Sequence, residues 1–461
     1  MTNLNSVRWG LVLLACISAC AQEQASAPAP AVSNPIISVS TNSDLNSNTS
    51  DGRMLAPPPV SGQSYPTAFA SEEGANYLRG GVTFNTAYSD NVLEGDSVTP
   101  VSDVSYSVWP TISLDETTSR LHTVLSYAPG FTFYQRVTSR NEADENLALD
   151  LQYRLSPHVT VSVRDSFQKS SDVFNQPDQG LVGAVSGSTE GVNNSVIAPL
   201  ADRLSNTGNT GITYQFAANT MVGASGTFTN LHYPNPDEVP GLFDAATRGG
   251  SAFYSYRVAH EHYVGVSYQY QQLLSYPTGG TNETQTDGIF AFYSYYPARR
   301  FSFSLFGGPQ YYSAGVQFTG TIPATVAAEQ SWSPAGGASL NWQAQHSSIA
   351  ASYLHSISGG GGLVGAVKLD SANASVRQQL TRNVSAALAG TYANNGVLAL
   401  SDLGGHSVSG SASLGRQVGE HLNLQAGYTR LHQTYSVFSA NPDTNREWVS
   451  ISYQFARPLG R

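Results

Sequence analysis

The octapeptide YRVAHEHY (256–263) sets His260, Glu261 and His262 side by side. Two imidazoles at i and i+2 with a carboxylate between them are the donor types of a divalent-cation site or an acid/base pair. A metal site needs further ligands, and the sequence fixes no third one. Pro157, Ala218 and Arg299 fill the same slot in similar frames elsewhere, and His158, His346 and His421 fall at or beside such frames. A slot that accepts Pro, Ala, Arg or His imposes no ligand chemistry. The expected reading is a solvated turn, with no metal and no cofactor.

Serine is abundant, and His355 and His432 stand near expected strand ends, as a hydrolase at a membrane rim would need. No G-x-S-x-G occurs in a strand–turn–helix context, however. SVSGSASLG (407–415) reads as small side chains on a crowded strand. GGGG (359–362) is followed by no helix and no Lys-Ser/Thr, so it reads as a flexible outer loop and not a phosphate cradle. No enzyme is expected, and no basic cluster suits nucleic acid.

Arg154, Arg164, Arg257 and Arg377 remain. Each falls on the polar face of an alternating segment, and Asp150 precedes the first in LALDLQYRL (147–155). Lys occurs only at Lys169 and Lys368, so arginine is the cation of choice. Two chemistries stay open. The arginines form a cationic patch that selects anionic solutes, or they join carboxylates such as Asp150 in a network that stiffens a wall.

The elements that would position them come from a chain with little charge. Only 12% of its 461 residues are charged, its net charge is −10, and its mean hydropathy is −0.20; Tyr supplies 25 residues and Gly 43. A soluble domain carries about 25% charged residues. No apolar run of about 18 residues follows the N-terminus, so no transmembrane helix is expected in the mature chain.

Trp9–Ala19, after the lone Arg8, is an apolar segment too short to span a bilayer and reads as an export signal over 1–21. Ala19-Cys20-Ala21 fits a cleavage site, and Ile17-Ser18-Ala19-Cys20 resembles a bacterial lipobox that would place a lipid on Cys20. Cys16 and Cys20 are the only cysteines, so the mature chain has no disulfide. Residues 22–76 are rich in Pro, Ser, Ala and Asn and read as a disordered tether.

From about Tyr77 a two-residue rhythm takes over. Val104, Tyr106, Val108, Pro110, Ile112 and Leu114 share one face, against Ser105, Ser107, Trp109, Thr111 and Ser113. Leu147, Leu149, Leu151, Tyr153 and Leu155 oppose Ala148, Asp150, Gln152 and Arg154. About eighteen such segments follow one another, or sixteen, with LSYAPGFTFYQ (125–135) reading as one bent strand or two. Asp165 falls on the apolar face of VTVSVRDSF, so it sits near an interface or the register slips there.

A frame recurs at intervals of about 36–60 residues. An aromatic residue (Tyr153, Tyr214, Tyr256, Trp342, Tyr453) precedes a polar one, a small one, and a turn of about two to four residues. The opposite connections are longer, roughly 35 residues in one case, and repeat Pro-Asp turns at 175–180, 235–241 and 440–445. Short turns at one end and long loops at the other belong to a transmembrane antiparallel up-and-down β-barrel over 77–461. A propeller blade needs four strands, and each unit here holds two. The framed aromatics would form a periplasmic girdle, and Tyr88, Tyr233, Tyr392 and Tyr435 an outer one.

The last strand, WVSISYQF, alternates through Val449, Ile451, Tyr453 and Phe455 and resembles the C-terminal assembly signal of bacterial outer-membrane barrels. It departs from that pattern in the six residues that follow Phe455. Over about 77–457 the chain resembles porin-like outer-membrane β-barrel proteins. The resemblance implies residence in lipid in the bacterial outer membrane, folding by the barrel assembly machinery, and a passive channel for small hydrophilic solutes. The alternative is a non-conducting barrel that displays its loops at about 170–205 and 231–247 for adhesion or for an export complex. No residue pattern fixes the oligomeric state.

Overall fold

The computed structural model describes residues 76–93, 100–170, 201–235, 241–277, 280–298, 300–318, 325–363, 365–398, 404–436 and 442–459. Cys20, the signal segment and the tether up to residue 75 lie outside them, as do Arg299 and the Pro-Asp turn at 175–180.

Eighteen antiparallel strands follow in order: β1 (Tyr77–Ser89), β2 (Asp103–Thr117), β3 (Leu121–Tyr134), β4 (Glu142–Arg154), β5 (Val159–Ser170), β6 (Arg203–Ala217), β7 (Thr220–His232), β8 (Ala245–Ala259) and β9 (His262–Ser275). Then come β10 (Gly280–Ala298), β11 (Phe301–Phe318), β12 (Thr325–Gln343), β13 (Ser347–Gly359), β14 (Ala366–Thr381), β15 (Val384–Val397), β16 (Gly404–Val418), β17 (Leu422–Tyr435) and β18 (Asp443–Pro458). Each pairs with the next, and β1 pairs with β18 from Tyr77↔Pro458 to Ser89↔Arg446, which closes the ring. Closure gives every strand a neighbour on both sides, the arrangement hydrocarbon imposes, with the β12–β13 seam paired only over Gly336–Gln343. The segment 125–135 is one strand, part of β3, so the count is eighteen and not sixteen.

Even-numbered strands lead into turns of two to four residues, at 118–120, 155–158, 218–219, 260–261, 299–300, 344–346, 382–383 and 419–421. Odd-numbered strands lead into the longer connections. Both ends of the ring, Tyr77 and Pro458, lie at the short-turn end.

The two faces separate as the rhythm requires. On β18, Val449, Ile451, Tyr453 and Phe455 are exposed outward, while Ser450 and Ser452 are buried inward. On β2, Tyr106 and Ile112 are outward, and Ser105, Ser107 and Ser113 inward. Tyr153, Tyr214, Tyr256, Trp342 and Tyr453 are all exposed outward beside the short turns. His262 joins them: its ring stacks on Tyr295 at 4.7 Å and its Nδ1 is 2.8 Å from the Tyr293 hydroxyl.

Glycine has a positional role in this wall. Aromatic rings repeatedly lie over a glycine on the neighbouring strand. Inward, Phe253 covers Gly223, Phe292 covers Gly265, Phe306 covers Gly337, Trp109 covers Gly130 and Trp448 covers Gly427; a Cβ at any of these glycines would meet the ring at 2.3–2.6 Å. Outward, Phe228 covers Gly208 and Phe455 covers Gly80. A ring laid flat on a bare backbone stabilises the cross-strand pair and keeps the wall thin.

Asp165 does not mark a slip. Its pairing with Leu149 on one side and Gly208 on the other continues the register of both ladders. It faces outward into the notch that Gly208 leaves, which the Phe228 ring shares.

The outward face is not apolar along its whole length. β10 and β12 have 19 residues each, and a tilted strand crosses a bilayer in about 9–11. The surplus at the long-loop end carries polar groups outward. Gln272 Nε2 donates to Glu283 Oε1 (2.7 Å), the Tyr353 hydroxyl to Asp370 (3.0 Å), and Arg430 pairs with Asp443 (3.1 Å). The strands therefore continue as a polar collar beyond the apolar band.

Candidate functional site

The site is the barrel interior and its long-loop mouth. Inward residues are short and hydroxylated on two facing walls. Ser162 and Ser166 (β5), Asn209 (β6), Ser225 (β7) and Ser251 (β8) stand on one. Asn373 and Ser375 (β14), Thr391 (β15), and Ser409, Ser411 and Ser413 (β16) stand on the other. Ala389 and Thr391 are exposed although they point inward, and the remaining residues are partly so. β6 and β15 are nine strands apart in a ring of eighteen, so these walls lie on opposite sides of it. Hydroxyls pair along each wall, Ser225 with Ser251 at 2.7 Å and Thr391 with Ser409 at 2.5 Å.

Part of the interior is apolar instead. Phe290, Phe292, Phe306, Ala335, Leu354, Leu369 and Ala393 pack together on the inner face of β10–β15, joined by Phe253 of β8. Met221, Tyr263 and Tyr296 form a second cluster nearer the short turns. Phe290 and Phe292 occupy inward positions within QTDGIFAFYSYY, an ordinary alternating strand in which both faces carry aromatics. Only the pairing of Phe292 with Gly265 shows which ones fold against the inner wall.

The predicted arginines divide. Arg164 and Asp150 are cross-strand partners on β5 and β4, with Nε 3.0 Å from Oδ2 and the carboxylate nearly buried. For this pair the wall-stiffening network is the one observed. Arg154, Arg257 and Arg377 also face inward, but at the short-turn ends of β4, β8 and β14. Arg257 Nη2 donates to the Ala218 carbonyl (2.9 Å) and to Asn219 Oδ1 (2.9 Å), neutral partners in the neighbouring turn. The four do not converge in one patch.

His260 and Glu261 form the two-residue turn between β8 and β9, and His262 opens β9 on the outer face. Among the described residues no group of three or more His, Cys, Asp or Glu side chains is gathered as a metal would require.

The long-loop mouth is crossed by the chain itself. Leu242, from the β7–β8 connection, and Leu363, from the β13–β14 connection, meet in one buried cluster with Ala201, Leu231, Tyr233, Ala245, Val367, Val397 and Tyr435. These residues come from the β5–β8 region and from the β13–β17 region, opposite arcs of the ring. Phe243 N–H donates to the Gly362 carbonyl (2.7 Å), and the Tyr233 hydroxyl to the Gly361 carbonyl (3.0 Å). Burial pushes the Tyr233 hydroxyl up to about 12, so it remains a neutral donor. Asp244 anchors one loop by accepting from Tyr233 N–H (2.9 Å), and Asn395 Nδ2 donates to the Tyr435 hydroxyl (2.6 Å). Gly361, Gly362 and Gly365 turn the other loop with φ of 62°, 100° and 89°.

Two expectations fail at this mouth. Tyr88 and Tyr392 face outward as an outer girdle requires, but Tyr233 and Tyr435 are buried inside. The GGGG run is not a free loop; it ends β13 and lies buried in the lid. Alternation shows which face a strand residue takes. Beyond the strand end it has nothing to say.

The lid draws β13 inward. β12 and β13 pair only from Gly336↔His355 to Gln343↔Ser348, and Cα atoms of β13 come within 8 Å of β8 and β9. Gly365 N–H donates to Ser275 Oγ at the end of β9 (3.0 Å), and Ile357 N–H to Gln310 Oε1 (3.2 Å).

No protein-family model and no curated protein matches this chain. Among solved structures it is similar to Pseudomonas aeruginosa OpdK crystallised with vanillate, at 9% identity over 82% of this chain and 99% of that one, with a TM-score of 0.39. P. aeruginosa OccK2 (OpdF) is similar at 10% identity over 83% and 98%, with a TM-score of 0.41. The Escherichia coli K12 ferric-catecholate import receptor Fiu, in its open form, is similar at 9% identity over 87% and 86%, with a TM-score of 0.41. Neither the identities nor the scores carry a solute or a role across to this chain.

Proposed function

We propose that this protein is a porin-like passive channel of the bacterial outer membrane for small hydrophilic solutes. The observation that carries it is the solvent-accessible inner face of β5–β8 and β14–β16, rich in serine, threonine and asparagine, inside a closed ring with an apolar outer band. Solutes with hydroxyl or amide groups exchange water for wall hydroxyls at little cost. The short turns face the periplasm, with Tyr153, Tyr214, Tyr256, Trp342 and Tyr453 as the girdle on that side, and the polar collar stands in the outer headgroup region. Val449, Ile451, Tyr453 and Phe455 serve the barrel assembly machinery as the terminal strand. Arg154, Arg257 and Arg377 act on charged solutes at the periplasmic mouth, and Cys20 is the lipidation site if the lipobox is used.

A second reading has one observation in its favour. The buried lid of Leu242, Leu363, Tyr233 and Tyr435 fits a barrel that displays loops and does not conduct. Planar-bilayer recording of the refolded full-length protein separates the two. The channel reading expects discrete conductance steps. A silent wild type that conducts once Leu363→Asn loosens the lid means a gated channel, and silence in both supports display.

A further inference from the structure

The charged groups of the barrel are sorted along its axis. In the sequence of the long-loop connections 94–99, 171–200, 236–240 and 399–403 every charged residue is acidic, whereas the β3–β4 connection holds Arg136 and Arg140. The short-turn end is richer in arginine, although Glu261 and Glu420 also lie in its turns. Arg120, Arg300 and Arg382 sit in its turns, and Arg416 and Arg457 stand within a few residues of them, all five exposed. None of these five guanidinium groups makes an ion pair among the described residues. Arg154, Arg257 and Arg377 face inward at the same end.

The geometry points to the short-turn mouth as a docking ring for an extended polyanion, a chain bearing carboxylate, sulfate or phosphate groups in series. A single small anion does not fit the arrangement. Arg154, Arg257 and Arg377 lie on β4, β8 and β14. Neighbouring strands are about 4.8 Å apart, so four and six strands place them roughly 19 and 29 Å from one another along the wall. They cannot converge on one carboxylate or phosphate, and only a multivalent chain reaches several. Guanidinium groups bind such oxyanions in fork geometry and do not lose their charge. Several weak contacts along one chain then act together. The inward placement of three of the arginines separates this ring from a lipid-headgroup belt, which would need outward ones. The hydroxylated wall above adds only the paired Arg164 and Asp150 until Arg203 at its long-loop end, and the acidic connections at the far end repel what the ring attracts. This inference goes beyond passive permeation, since capture at the ring does not require that the chain be carried through.

The test uses the folded full-length protein in detergent and fluorescent dextran sulfate, with neutral dextran of equal size as control. Binding is read by anisotropy. The expected result is dextran-sulfate binding that weakens steeply with salt, no binding of neutral dextran, and at least tenfold weaker binding for two separate triple variants. One is R120A/R300A/R382A, whose side chains have no ion-pair partner to lose, and the other is R154Q/R257Q/R377Q. Wild-type affinity in both triples overturns the inference. So does a loss confined to R416A/R457A, which assigns the arginines to lipid headgroups. In planar bilayers, block from the short-turn side at a tenfold lower concentration than from the long-loop side supports the ring, and equal block from both sides overturns it. Binding without conductance in either the wild type or Leu363→Asn leaves the ring standing and removes the channel reading. Conductance without binding does the opposite.

Discussion

Tyr233 and Gly361 are 128 residues apart in the chain, yet the tyrosine hydroxyl donates to the glycine carbonyl at 3.0 Å across the long-loop mouth. That bond ties the β7–β8 connection to the β13–β14 connection and holds Leu242 against Leu363. Tyr233→Ala removes both the donor and a buried ring, a loss of about 3–5 kcal/mol where the site cannot collapse. The expected outcome is a several-fold rise in conductance with the barrel intact, as judged by resistance to unfolding on a gel. Unchanged conductance would show that the lid does not limit flow.

Gly362 probes the same lid from the backbone side. Its φ is 100°, and a Cβ there would lie 2.7 Å from the Tyr233 oxygen. Gly362→Ala combines left-handed strain of about 1–3 kcal/mol with that clash. It should raise conductance as Tyr233→Ala does, whereas Gly396→Ala, which has open space around it, should change nothing.

Arg164 and Asp150 test the lumen electrostatics. Asp150→Asn leaves the guanidinium without its carboxylate and should shift reversal potentials toward anion preference. Breaking a partly buried pair costs on the order of 1–3 kcal/mol here, less than for a dry interior because Arg164 is still partly exposed. The double variant Asp150→Asn/Arg164→Gln should recover most of the lost thermal stability. Equal stability of single and double variants would mean the pair has no coupling.

The glycine–aromatic pairs give a fold-level prediction. At Gly265 a Cβ would lie 2.3 Å from Phe292 and 2.2 Å from the Tyr254 carbonyl oxygen, so Gly265→Ala should lower the yield of folded barrel sharply. Gly390→Ala, whose nearest neighbour would be 3.7 Å away, is the control. Comparable yields for the two would remove the structural role assigned to these glycines.

The wall was readable from residue types because lipid and water sort side chains with a period of two. That rhythm marked the faces of β2, β4 and β18, the framed aromatics beside the short turns, and the number of strands. It could not show that Gly223 lies under Phe253 or Gly337 under Phe306, because cross-strand register is not written in either strand alone. Nor could it separate the apolar band from the collar holding Glu283 and Asp370, since alternation continues unchanged past the membrane. The lid was least accessible: Leu242, Leu363, Tyr233 and Tyr435 are brought together by chain reversals with no periodicity. The recurring frame puts Arg154 and Arg257 beside short turns, but only the cross-strand register shows that Arg164 meets Asp150.

The abbreviated seam between β12 and β13 has a mechanical consequence. Above Gly336 the backbone groups that β12 would share with β13 are unused by that neighbour, because β13 has leaned into the lumen to carry the lid. If the β13–β14 hairpin swung back, it would extend the ladder with β12 while withdrawing Leu363 from the opening. Sealing and full zippering of the cylinder are thus competing uses of one hairpin.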